Sequence, residues 1–441
     1  MRKIISFCLM LTLMAMPTVL NAQKKIYVSK TTGNNRNEGT MESPLKNLQK
    51  AIDIATEGDQ IFVAEGNYFG SLDCGTLKIN KPLQIFGGYN TTFTNRDILR
   101  YKTMVQPTAE SNGTVSMGTI CIDIPQQSQK QMIFDGFIID RGNCNAYNAA
   151  GEGKPEGVES PMLMPIGGKG IGGPDLKNPN VISSSTPTMR LNVKCPTIIR
   201  NCAFINSFQY AILGSAGVVK VDIVNNIFIN QTYAAVQISG SMANGRAEIQ
   251  FAYNTVLFSW ARTKDLGDMG YGYRYMNGTN VDVHHCIIGC STFAGLDRTY
   301  SENSREKEAE KKTGAENNLF FLNRQADLTL PGGGMFQRVW VKDFEDVEQL
   351  YKYEGNKSIT DPAVFTRGLD LNYLKGFINV SYKEKVDYDP NSGANQFRES
   401  LGMNKQGTIK SSVTMFANRY PWETAIQLFG AVKDYGAQLP K

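Results

Sequence analysis

The chain has 441 residues, 41% of them hydrophobic and 20% charged, with a formal net charge of +5. That composition is globular, and the length suits two or three ordinary domains or one repeat array. The excess charge is too small, and the lysines and arginines too dispersed, for a nucleic-acid partner.

The first element is a leader. Arg2 and Lys3 precede an apolar run from Ile4 to about Leu20, closed by Asn21-Ala22-Gln23. A basic start, an apolar stretch and a small residue at the cut make residues 1–22 a secretory signal peptide. The run is short for a membrane span, and Cys8 lies inside it where a lipid-anchored chain would place its cysteine just after it. No later stretch is apolar enough to cross a bilayer. Export to the periplasm, the cell surface or the medium is therefore expected, with no membrane span. Removal of Arg2 and Lys3 leaves a net charge of about +3, compatible with an acidic glycan without demanding one. Seven cysteines remain: Cys74, Cys121, Cys144, Cys195, Cys202, Cys286 and Cys290. The number is odd, and the spacing matches no zinc pattern.

Next comes a helix. Ser43-Pro44 reads as an N-cap followed by proline at the first helical position. Leu45, Leu48, Ala51, Ile52 and Ala55 form one apolar face at helical spacing. Such a helix can close the open hydrophobic end of a solenoid. Gly58-Asp59 ends it, and Gln60-Ile61-Phe62-Val63-Ala64 reads as a strand.

A repeat then takes over. Ile199-Arg200-Asn201-Cys202-Ala203-Phe204-Ile205-Asn206 recurs as Ile223-Val224-Asn225-Asn226-Ile227-Phe228-Ile229-Asn230. Further copies follow around Tyr253-Asn254, His285-Cys286 and Asn317-Asn318, and an earlier one around Asp135-Gly136. The intervals from Cys202 through Asn226, Asn254 and Cys286 to Asn318 are 24, 28, 32 and 32 residues, the period of a solenoid. Val219, Val221 and Ile223 alternate with Lys220 and Asp222, which means strand. The position read as Gly136, Asn226, Asn254 and Asn318 predicts a left-handed backbone in a tight turn. Stacked asparagines, one per coil, are expected to hydrogen-bond along the axis. Strand, tight turn and strand at about 24 residues per coil predict an all-β chain, a parallel β-helix.

Several stretches carry the resemblance to a known family. They are Tyr27-Val28-Ser29, Ser43-Pro44-Leu45, Gly58-Asp59-Gln60-Ile61, Gly66-Asn67-Tyr68, Gly87-Gly88-Tyr89, Arg96-Asp97, Asp135-Gly136-Phe137 and Pro196-Thr197-Ile198-Ile199-Arg200-Asn201-Cys202. Over about residues 26 to 325 the chain resembles secreted bacterial right-handed parallel β-helix proteins of the pectin-lyase-like superfamily. Its general style, with Gln23 as the first mature residue, is similar to exported proteins of Bacteroidetes. The resemblance implies a right-handed coil and a polysaccharide partner. It implies no particular activity, because one fold hosts many, and the residue constellations of the well-known pectate, pectin and alginate lyases are not found.

The β-helix, with its N-terminal cap, is expected over residues 23–365, with loop insertions at 145–195, 262–275 and 297–313 and a shorter one at 240–246. They follow the tight turn at comparable offsets and are expected on one face. Residues 366–441 lose the rhythm and read as a C-terminal cap. Nothing calls for a second copy of the chain, and a monomer is expected.

The 262–275 insertion is the richest in chemistry. It holds Arg262, Lys264, Asp265, Asp268, Tyr271, Tyr273, Arg274 and Tyr275 just after Trp260, and the next coil adds Asp297 and Arg298. Flat aromatic faces and planar cations bind sugars. β-Elimination on a uronic acid needs a base for the C5 proton and a cation against the carboxylate. Lys264 or Arg274 is the candidate for either role, and Tyr271 or Tyr273 the candidate proton donor. Trp260, Arg262, Asp297, Arg298 and His284 are candidate substrate contacts. Calcium is the one cofactor suggested: Asp265 and Asp268 supply two carboxylates, too few alone for a site. A glycoside hydrolase would instead use two of Asp265, Asp268 and Asp297 as acid and base. A non-catalytic glycan-binding or surface protein on the same fold is the third reading. His284 is expected to point outward, and His285 to serve the turn row.

Overall fold

The structure, a computed structural model, describes residues 23–72, 75–107, 118–141, 187–207, 209–241, 245–260, 270–298, 313–331, 338–341, 344, 347, 352–381, 390–391, 393–400, 402–405 and 420–440. The leader, Cys74 and Cys144 lie outside these residues, as do Arg262, Lys264, Asp265 and Asp268.

Three sheets of nine strands run side by side. One coil crosses each in turn: Lys220–Val224 lies in the first sheet, Ile227–Thr232 in the second and Ala234–Gly240 in the third. Ala247–Ala252 then opens the next coil in the first sheet. Each strand pairs in parallel with its equivalent one coil on, as Val221 does with Ile249 and Ile249 with Val281. The result is a right-handed parallel β-helix, the hand that parallel crossovers take. The last strand of the third sheet, Arg338–Val341, is antiparallel.

In the first sheet alternation sorts the side chains: Val221, Ile223, Ile249, Phe251, Val281 and Val283 point into the interior, and Asp222 and Asp282 do not. The second sheet is different. Its central strands carry consecutive apolar residues, Ala203-Phe204-Ile205, Ile227-Phe228-Ile229 and Val256-Leu257-Phe258, as suits parallel strands buried on both faces. Phe204, Phe228, Val256, Ile288 and Phe320 fill the interior. Ile205, Ile229, Leu257 and Ile287 face outward under Tyr373, Leu374, Phe377, Tyr420 and Phe429. The C-terminal segment therefore packs along the flank of the coil and not across its end. At that end Phe344, Val347 and Tyr353 join the interior, Phe344 stacking on Phe320 with ring centroids 4.9 Å apart.

Three sequence expectations shift in detail. The opening helix spans Leu48–Ile54 and is capped by Asn47, whose side chain accepts from Lys50 N at 3.2 Å. Ser43-Pro44 precedes it in the loop, where Leu45 bridges to Val28, yet the whole expected apolar face is buried in the interior. The left-handed turn row is Gly136, Asn201, Asn225, Tyr253, His285 and Asn317, with φ between 52 and 84, one residue before the asparagines that were expected there. Asn226, Asn254 and Asn318 instead point inward as a buried ladder. Cys202 N donates to Asn226 Oδ1 at 3.0 Å, Asn226 N to Asn254 Oδ1 at 2.9 Å and Cys286 N to Asn318 Oδ1 at 2.9 Å. A further rung, Asn318 N to Asn356 Oδ1 at 3.0 Å, extends it.

The insertions also shift. The expected 145–195 and 262–275 segments each contain a full strand of the third sheet, Met189–Val193 and Tyr271–Tyr275. Both connect the second sheet to the third, whereas 240–246 and 297–313 connect the third to the first. The insertions thus leave from both ends of the third-sheet strands, not from one side.

Candidate functional site

The outer face of the third sheet is where the sequence-selected residues meet. One outward row reads Arg190, Leu213, Gln237, Arg274, Asp297 and Thr329 on successive strands. A second reads Tyr210, Ala234, Tyr271, Ala294 and Ala326. The alanines leave room for neighbouring rings, and residues at the preceding corner supply them. Tyr210 meets Tyr233 at 4.8 Å, Tyr271 meets Phe293 edge-on at 5.0 Å, and Phe293 meets Trp340 at 5.2 Å. Trp340, on the terminal antiparallel strand, is exposed.

Asp297 sits beneath this aromatic run, fully buried. Arg338 grips it through Nε at 2.5 Å and Nη2 at 3.2 Å. Thr329 Oγ1 donates at 3.0 Å, and Arg274 Nε lies 3.4 Å from the other carboxylate oxygen. The two guanidiniums also lie against the rings: Arg274 is 5.2 Å from the Tyr271 centroid and Arg338 is 5.7 Å from that of Phe293. Arg274 Nη1 donates to Tyr233 Oη at 3.2 Å, and Arg338 Nη2 to Tyr271 Oη at 3.4 Å. Among the described residues, one carboxylate lies between these two guanidiniums, with rings packed against both. A carboxylate so occupied by donors has no room to act as a hydrolytic acid or nucleophile, which removes Asp297 from that role.

Other expectations are corrected. Tyr273 lies two residues from Tyr271 but faces the opposite way, into the interior beside Phe251. The alternation breaks at this point in successive coils: Ala211-Ile212 and Ala235-Val236 also turn inward together, and at Gly272 a Cβ would lie 2.4 Å from Ile288 Cγ2. Burial pushes the Tyr273 hydroxyl well above the usual tyrosine range, and it is no proton donor to a substrate. Trp260 is buried under the C-terminal segment, donating Nε1 to Asn230 Oδ1 at 3.0 Å, so it presents no sugar platform. Arg298 is buried and donates to Tyr353 Oη at 2.6 Å. His284 lies on the outer face of the first sheet, apart from this group. The sequence reading missed Arg338, Tyr233, Phe293, Trp340 and Thr329. Arg338-Val339-Trp340-Val341 carried a strand alternation, and Tyr233 and Phe293 hold equivalent corner positions in their coils.

Among the described residues, no three His, Cys, Asp or Glu side chains are grouped to hold a metal, and no helix is long and apolar enough to cross a membrane. The two calcium candidates lie outside those residues.

A family model described as a protein of unknown function, DUF1565, matches residues 31–129. The comparison with curated proteins finds no match. Among solved structures the chain is similar to pectate lyase Pel9A, at 11% identity and a TM-score of 0.34, covering 72% of this chain and 73% of that one. A rhamnogalacturonan lyase is similar at 10% identity and a TM-score of 0.28, over 79% of this chain and 94% of that one. A GH136 lacto-N-biosidase from Eubacterium ramulus is similar at 15% identity and a TM-score of 0.24, over 69% of this chain and 42% of that one. None of these likenesses assigns an activity or a site.

Proposed function

We propose that the chain is an exported protein that acts on an acidic, uronic-acid-containing glycan at the outer face of the third sheet, by β-elimination. The observation that carries this reading is the pairing of Arg274 and Arg338 over one buried carboxylate, with Arg274 lying against Tyr233 and Tyr271 and Arg338 against Phe293. Rings take the apolar faces of sugars, and planar guanidiniums suit a uronate carboxylate. In the elimination a base removes the C5 proton, the electron pair forms the C4–C5 double bond, and the C4–O bond breaks to a leaving oxygen that takes up a proton. A guanidinium against the carboxylate stabilises the charge that develops there. Lys264 is the candidate base; Tyr271 is itself fully buried, so its hydroxyl, 3.4 Å from Arg338 Nη2, positions that guanidinium and does not protonate the leaving oxygen.

A second reading is supported by a specific feature: both arginines already meet a carboxylate, as suits a binding face as well as a catalytic one. A panel of uronic-acid polysaccharides separates the two. New absorbance from unsaturated ends, lost in Arg338→Gln, supports elimination. Retention on the same glycans without turnover supports binding alone. Neither retention nor turnover on any acidic glycan overturns both. Export belongs to the same proposal, and secreted protein should begin at Gln23.

A further inference from the structure

The chain has only two histidines, they are adjacent, and the glycan-binding face uses neither. His284 is half-buried on the outer face of the first sheet. His285 occupies the left-handed turn row with φ 54. Their Nδ1 atoms are 3.1 Å apart, so one must donate and the other accept. The neighbours decide which. Lys220 Nζ can only donate, and it lies 3.5 Å from Gln250 Oε1 while also meeting Asp222 at 3.0 Å. That turns the Gln250 amide nitrogen toward His284 Nε2, 3.1 Å away. His284 Nε2 therefore accepts, His284 Nδ1 carries the proton, and His285 Nδ1 accepts it. The relay runs one way, from Lys220 through Gln250 and His284 to His285, with both rings neutral.

This relay ends under the C-terminal segment. His285 stacks on Tyr253 at 5.0 Å and meets Tyr435 at 6.3 Å. Its main-chain oxygen accepts from Gly436 N at 2.8 Å. The next residues are fixed beside it: Ala437 N donates to Thr255 Oγ1 at 2.9 Å, and Gln438 N to Asn225 Oδ1 of the turn row at 2.6 Å.

We propose that the neutral His284–His285 pair is an acid-sensitive latch for the C-terminal segment. A first added proton at His284 Nε2 requires the Gln250 amide to flip away from Lys220. A second cannot be placed without setting two N–H groups against each other, so the rings must part. His285 is the ring between Tyr253 and Tyr435, and its displacement disturbs the Gly436 contact. The charged groups around the pair are Asp282 on the same strand, Glu316 on the next strand with Glu354 and Lys352 beyond it, and Lys220 at the head of the relay. The carboxylates favour the first proton, yet burial outweighs them and holds His284 below the usual histidine range. A histidine depressed in the folded state supports the fold above its ordinary value of about 6.5 and ceases to as pH falls through the lowered one.

The test is amide hydrogen exchange at Gly436, Ala437 and Gln438 in the full chain from pH 8 to pH 5, corrected for intrinsic rates. Protection is expected to fall about tenfold below pH 6.5, and to become independent of pH in His285→Gln and His284→Gln. A flat wild-type profile, or the same fall in both variants, overturns the latch. Should the variants not fold, the imidazole proton signals of the wild type decide. Two coupled steps support the latch, and two independent titrations near 6.5 refute it.

Discussion

The second and third sheets present similar apolar faces to the interior and unlike surfaces to the outside. The outer face of the second is aliphatic and aromatic, and the chain's own C-terminal segment covers it. That of the third is arginine, tyrosine and tryptophan around a buried carboxylate. The difference lies in the alternate positions alone: Ile205, Ile229 and Leu257 on one sheet, Arg190, Gln237 and Arg274 on the other. A parallel β-helix is stabilised by its interior and its ladder, which leaves each outer face available for a separate use. Here one outer face is covered by the chain itself, and recognition is proposed for the other.

That division predicts its largest effect on the covered face. Phe377 is fully buried and meets Phe258 at 5.0 Å. Phe377→Ala should cost about 3–5 kcal/mol of unfolding free energy, the usual penalty for emptying a buried aromatic site. Denaturant titration measures it, and glycan retention should be unchanged. A cost below about 1 kcal/mol would mean that the segment is not part of the core.

The ladder comes next. Asn226 accepts from Cys202 N and donates to Ile199 O at 3.0 Å. Asn226→Leu strands both buried groups, and the expected loss is about 2–4 kcal/mol. The cause is a lost hydrogen-bond network, since Asn226 is not the left-handed residue of its turn. A melting temperature equal to the parent's would contradict the ladder.

This ladder shows how much was legible in the sequence. The coil and its register were, because Asn226, Asn254 and Asn318 recur with an apolar strand behind each. Which residue of the Asn225-Asn226 pair turns left-handed was not, because asparagine serves both positions. The coil ending at Asn356 was passed over because Lys357-Ser358-Ile359 lacks the apolar run. Arg274 and Asp297 were selected from their chemistry, and the structure brings them together. Arg338 was missed because it reaches Asp297 across the intervening strand, a contact between residues 41 apart that no local pattern encodes. The cover over the second sheet was foreshadowed by its continuous apolar strands, but nothing local says which segment supplies it.

On the third sheet the effects on stability should be smaller and those on recognition larger. Arg274→Gln leaves buried Asp297 one charged partner short, and should cost about 1–2 kcal/mol. Adding Asp297→Asn removes the buried charge and should restore most of that loss. Retention on an acidic glycan should stay at least about tenfold weaker in both, a coupling of about 1.4 kcal/mol. Affinity chromatography with thermal unfolding on the same samples reads both quantities. Equal retention by parent and single variant would move the site away from this face.

The smallest effect should fall on Tyr273, and its sign separates the two sides of one strand. Tyr271 and Tyr273 look equivalent in sequence, but the break in alternation shared by successive coils sends one to the outer face and the other to the interior. There the Tyr273 hydroxyl is buried without a hydrogen-bond partner among the described residues, and its ring is held against Phe251 and Tyr275. A buried hydroxyl with no partner carries a desolvation penalty that nothing repays. Tyr273→Phe keeps the ring and removes the penalty, so stability should stay level or rise by up to about 1 kcal/mol. Glycan retention and any turnover should be those of the parent. Tyr271→Phe should instead lower glycan retention, because its buried hydroxyl helps to place Arg338 on the proposed recognition face. Loss of retention in Tyr273→Phe with Tyr271→Phe unaffected would reverse the assignment of the two faces.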